Sequence, residues 1–94
     1  MAPTGKEFYA IRCAGCHGPQ GRGDGPAAAT LSPKPRTFTD PEWQKSVTDE
    51  HITTIIVKGG LAVGKSSMMP GNLELDGNTE LLRGLVAEVR SFGK

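Results

Sequence analysis

Cys13-Ala14-Gly15-Cys16-His17 is the stretch that decides how this chain folds, and it holds the only two cysteines of the 94 residues. The spacing C-x-x-C-H is the one that covalent c-type haem attachment requires. Two thiols three positions apart can each form a thioether to one vinyl group of a porphyrin. The residue that follows, His17, can then offer a ring nitrogen to the iron. Three other chemistries compete for the same residues. A thioredoxin-like dithiol needs a preceding strand in a βαβ setting, which the flanking sequence does not provide. A zinc site needs four ligands, and Cys13, Cys16, His17 and the distant His51 are the only candidates. A disulfide across two intervening residues would be strained and would close almost no loop.

Composition agrees with an embedded cofactor. The chain has three Phe, one Tyr and one Trp, against 13 Gly and 7 Pro. A chain this short buries only a thin core unaided, and a large flat apolar group would complete it. The formal net charge is +1, with both signs scattered. That excludes the concentrated basic face of a nucleic-acid binder. The longest aliphatic run, Ile55-Ile56-Val57, is far too short for a membrane span. The length fits a single domain over residues 1–94. Met1-Ala2-Pro3 leads directly into the first helical pattern, without a signal peptide. Haem is attached to C-x-x-C-H outside the bacterial cytoplasm, so a leader is expected to have been removed. Excision of this domain from a longer protein remains the alternative.

The pattern along the chain is all-α: three main helices separated by loops. Thr4 and Glu7 have capping-box spacing, which predicts a first helix from Thr4 to about His17, with Phe8 and Ile11 on one face. Residues 18–41 are rich in Gly and Pro. A loop of that length is expected to wrap something, with room for one helical turn over Ala27–Leu31. Thr48 is a good N-cap, followed by Asp49 and Glu50, and Gly59-Gly60 is a stop signal. Together they predict a second helix with an Ile52, Ile55, Ile56 stripe. A short helix from Pro41 would carry Trp43. The last helix is predicted over Thr79–Phe92, burying Leu81, Leu82, Leu85, Val86, Val89 and Phe92.

Met68 and Met69, in the loop before Pro70, are the candidates for a second axial ligand, since a thioether sulfur suits haem iron. Adjacent methionines on a Gly/Ser-rich loop make poor core filler. Pro70 restricts the residue before it to extended backbone, which favours Met69 over Met68.

These residues together resemble a small bacterial class I c-type cytochrome along nearly the whole chain. The likeness rests on Gly5 and Phe8 in the first helix, then Cys13-x-x-Cys16-His17, Gly25-Pro26, Met69-Pro70 and the C-terminal Val89-Arg90-Ser91-Phe92. The resemblance implies a cytochrome c fold wrapped round one haem c, bound through Cys13 and Cys16 and ligated by His17 and Met69. It also implies that the Pro26 carbonyl accepts a hydrogen bond from the other ring nitrogen of His17, fixing ring orientation. In the family an aromatic on the last helix packs near the first. The usual place is Glu88 here, and Phe92 is the candidate substitute.

One motif points elsewhere. Gly59-Gly60-Leu61-Ala62-Val63-Gly64-Lys65-Ser66 fits the P-loop pattern, but Pro70-Gly71 would break the helix that a P-loop must open. No nucleotide is expected. Trp43 and Arg36 could reach a haem propionate, Lys58 and Lys65 could help dock an acidic partner, and His51 reads as a surface residue.

The expected function is that of a monomeric, periplasmic one-electron carrier, not an enzyme. It would meet redox proteins transiently and bind no nucleic acid. The alternative is a haem domain with a labile methionine, active in ligand sensing or peroxidase chemistry.

Overall fold

A computed structural model describes residues 4–30, 37–60 and 71–93. Its helices are α1 (Gly5–Phe8), α2 (Ala14–His17), α3 (Pro41–Ser46), α4 (Asp49–Lys58) and α5 (Thr79–Ser91). A π-helical turn, Tyr9–Cys13, joins α1 to α2, so residues 5–17 wind continuously. Single 3₁₀ turns occupy Ala28–Thr30 and Leu73–Leu75. Among the described residues there is no strand. No helix of theirs is long and apolar enough to cross a membrane.

The helix starts follow from their caps. Thr4 accepts from the Glu7 amide, while the Glu7 carboxylate accepts from the Thr4 amide, a complete capping box. Asp40 caps α3 ahead of Pro41 at its first position, and Thr48 caps α4 through the His51 amide. α4 ends at Gly59, whose φ of +87° suits glycine. α5 opens at Asn78, whose side chain takes the Leu81 amide.

The core is built against α5. Leu81, Leu82, Leu85, Val86 and Val89 are buried along one stripe, and Leu85 is 1% exposed. α1 lies across this helix where Gly5 meets Gly84. A Cβ placed on Gly5 would fall 2.2 Å from the Gly84 carbonyl carbon. Two facing glycines therefore let the backbones touch where any larger pair would hold them apart.

The structure corrects three local expectations. Ile11 does not share the face of Phe8. Phe8 is buried, whereas Ile11 is 74% exposed. The π turn rotates less per residue than an α turn, so Ile11 stops short of the buried face and stays in solvent. In α4 the buried positions are Ile52, Ile56 and Val57, with Ile55 only half-buried. His51 is half-buried in the first turn of α4 rather than exposed.

The expected turn after Gly25-Pro26 is the Ala28–Thr30 3₁₀ turn, and Trp43 lies on the short helix from Pro41. The stretch before Gly59 is helix α4, so the P-loop-like motif does not follow a strand as a nucleotide site requires.

Candidate haem site

The π turn delivers Cys13 to the start of α2, and Cys16 and His17 follow on that helix. Both cysteines are free and half-buried, and His17 is half-buried beside them. Burial pushes the Cys13 thiol up to about 11, with the neighbouring Arg12 guanidinium pulling the other way. As a free thiol it is therefore protonated at neutral pH. Among the described residues, no three His, Cys, Asp or Glu side chains converge as a metal cage.

The loop that leaves α2 folds straight back over it. The Gly23 amide donates to the His17 carbonyl at 2.7 Å, and the Gly25 amide donates to the Cys16 carbonyl at 3.0 Å. The Ala27 amide donates to the Gly15 carbonyl at 2.8 Å. Gly25 lies so close that a Cβ there would sit 2.3 Å from the Gly15 carbonyl oxygen. Pro26 is thus bracketed by two bonds to the C-x-x-C turn, with its own ring exposed.

The Tyr9 hydroxyl closes the turn from the other side, donating to the Gly18 carbonyl at 2.7 Å. Tyr9 is 2% exposed, and burial raises its phenol well above the ordinary value.

An aromatic group stands next to the histidine. Phe38 stacks on the His17 ring with centroids 4.5 Å apart and planes 21° apart. Trp43 meets Phe38 at 5.3 Å. Phe92 meets Tyr9 at 5.2 Å, so the substitute expected for an aromatic at Glu88 does join the last helix to the first. Trp43 packs on the core as a half-buried ring.

Sequence reasoning missed Tyr9, Phe38 and Gln44, and the contacts that Arg90 makes. The Gln44 side-chain amide donates to the Phe38 carbonyl at 2.7 Å and the Val89 carbonyl at 3.0 Å. Arg90 donates to the Gln44 side chain at 3.1 Å, the Val47 carbonyl at 2.8 Å and the Asp49 carboxylate at 3.0 Å. Apart from Gln44 to Phe38, which are six residues apart, these contacts span some 40 residues or more of chain and carry no periodic signal.

Met68, Met69 and Pro70, with Arg36 and Lys65, lie outside the described residues. The return of their loop is described. The Asn72 side chain donates to the Ile56 carbonyl at 2.8 Å, and its backbone amide donates to the Val57 carbonyl at 2.8 Å. Both bonds fix the loop's end to the last turn of α4, where Lys58 is exposed.

The donor set fits a covalently attached haem. Two reduced thiols three residues apart lie on one helical turn, with an imidazole next in sequence and apolar rings behind it. A separate groove of about 470 Å³ between α4 and α5, lined by Asp49, Thr53, Leu82 and Arg83 among others, shares no residue with this set.

Comparison with known proteins agrees. The family model described as Cytochrome c matches residues 2–80. No curated protein matches the chain. A solved structure titled KustC0563 c-type cytochrome superposes with a TM-score of 0.71 at 29% identity, covering 98% of this chain and 100% of that one. By this match and by the attachment turn it carries, the chain belongs to the cytochrome c family, whose members hold haem c covalently and serve electron transport.

Proposed function

We propose that this protein is a one-electron carrier whose haem iron is ligated by His17 and Met69. The observation that carries the reading is the C-x-x-C-H helical turn with a glycine-proline loop bonded back onto it. When bound, the haem supplies a single reversible electron at its iron. The chain's part is to hold, orient and shield.

Cys13 and Cys16 fasten the group to one helical turn. The residue directly after them, His17, supplies the proximal nitrogen. The bonds at Gly25 and Ala27 hold Pro26 against the attachment turn, where its carbonyl accepts from the second ring nitrogen of His17 and keeps the imidazole basic and oriented. Met69 is carried on a segment whose return is bonded to α4 at Asn72, and its sulfur raises the potential relative to a nitrogen ligand.

Held by His17 and Met69, the haem would exchange electrons with redox proteins during brief contacts. Such contacts are small and weak, as turnover requires. No enzymatic step is assigned. Haem attachment to C-x-x-C-H outside the bacterial cytoplasm supports a periplasmic carrier.

The test is spectroscopic. The matured ferric protein should show the near-red charge-transfer band of methionine–iron ligation. Met69→Ala should abolish it and Met68→Ala should keep it. The reverse pattern would move the ligand to Met68. A high-spin ferric spectrum in the unaltered protein would sink the carrier reading.

A further inference from the structure

We infer that Phe38 is a positioning residue for the axial imidazole, and that Gln44 and Arg90 hold it in place from the C-terminal helix. The inference rests on the reading of His17 as iron ligand and goes beyond it. It concerns what fixes the plane of the ring.

The Phe38 ring lies against the face of His17 at 4.5 Å, with the planes 21° from parallel. Both imidazole nitrogens lie in the ring plane, at its edge. A contact on the face therefore restricts rotation of the ring and leaves the edge to an iron on one side and a hydrogen-bond acceptor on the other. The acceptor alone leaves the ring free to swivel about the line between its two nitrogens. A flat neighbour on the face removes that freedom.

Phe38 is itself held at every point. Its amide donates to the Gly21 carbonyl at 2.6 Å, and its carbonyl accepts from the Gln44 side chain at 2.7 Å. Its ring is buried, with Trp43 at 5.3 Å and Tyr9 at 6.5 Å. Gln44 is locked in turn, because the same side chain also donates to Val89 and accepts from Arg90. A continuous line of contacts thus runs from the end of α5 through Gln44 and Phe38 to the face of His17. Core filling alone does not require Phe38 to be nearly parallel to the imidazole, nor its carbonyl to be tied to the same side chain that grips α5.

The test uses matured holoprotein and reads the orientation of the axial ring. In the ferric form, the spread and order of the four haem methyl proton resonances follow the plane of the axial imidazole. Phe38→Leu keeps apolar volume and removes the flat face. It should alter that spread and order and shift the midpoint potential. Phe38→Tyr, which restores a ring, should return the unaltered pattern. Val86→Ala, in the groove between α4 and α5, should lower stability while leaving the pattern as it was. Gln44→Leu breaks the line one step back and should move the resonances in the same direction by less.

A Phe38→Leu pattern no different from that of Val86→Ala overturns the inference. If Phe38→Leu does not mature, Gln44→Leu decides: an unchanged pattern overturns the inference, and a changed one supports it. Failure of the ligand reading is separable, because the unaltered protein would then lack histidine-ligated resonances altogether.

Discussion

The crossing of α1 with α5 and the loop over α2 are built on different principles. At the crossing, two glycines let backbones touch, and a stripe of leucines and valines on α5 buries itself without help. Around α2, the loop from Gly18 to Thr30 is held chiefly by backbone hydrogen bonds, and its buried residues are Gly18, Gly21, Gly25 and Ala28. The first region is closed by protein side chains. The second contributes few apolar side chains of its own, the Tyr9, Phe38 and Phe92 rings reach it, and the haem is expected to complete it. One small chain is therefore expected to join a half packed by its own side chains to a half that leans on its cofactor.

The largest test of this contrast is removal of the haem. A Cys13→Ser, Cys16→Ser double variant should fail to retain haem and lose cooperative melting, because a chain this short has little stability to spare. Circular dichroism should show lost helicity and a broad thermal transition. A haem-free chain that melts sharply with native helicity would erase the distinction between the two halves.

A smaller effect tests the crossing alone. Gly5→Ala places a methyl 2.2 Å from the Gly84 carbonyl carbon, so a helix must move. We expect a loss of about 3 kcal/mol, at the upper end for overpacking. Gly84→Ala meets only Gly5 atoms at 3.1 Å and gains about 1 kcal/mol of helix propensity. It should change stability by less than about 1 kcal/mol. Denaturant melts of the two holoproteins check the asymmetry, and equal losses would show that the crossing is not set by this contact.

These two regions were also unequally legible in sequence. Caps and apolar periodicity are local, so Thr4, Pro41, Thr48 and the stripe of α5 could be read directly. The attachment turn was legible because its chemistry demands adjacent residues. The π turn was not, since nothing in Tyr9–Cys13 distinguishes it from an ordinary helix, and Ile11 was misplaced as a result. The line from Arg90 through Gln44 to Phe38 is set by tertiary contact between residues up to 46 apart, and such contacts leave no mark on either segment alone.

Another small effect is expected where the two regions meet. Tyr9→Phe removes the hydroxyl bonded to the Gly18 carbonyl and should cost about 1 kcal/mol at neutral pH. It should also change the alkaline response. Burial raises the Tyr9 phenol in the folded state, while an unfolded tyrosine ionises near its ordinary value of about 10. The folded form thus binds the extra proton above that pH. Its advantage is complete below about pH 10 and declines as pH rises further. Tyr9→Phe should flatten that decline, as measured by urea midpoints between neutral and alkaline pH. A parallel decline in both proteins would show that the phenol is not the group responsible.

The bonds from Asn72 to the end of α4 carry an evolutionary consequence. Gly59 caps the terminus of α4, and where the described chain resumes after Pro70, Asn72 is fastened to the last carbonyls of the same helix. A segment anchored this way can be lengthened, shortened or swapped at the modest entropic penalty of a changed loop length, without rebuilding the rest of the molecule. Natural variation could then replace that stretch as a cartridge, while the attachment turn and the glycine crossing stay as they are.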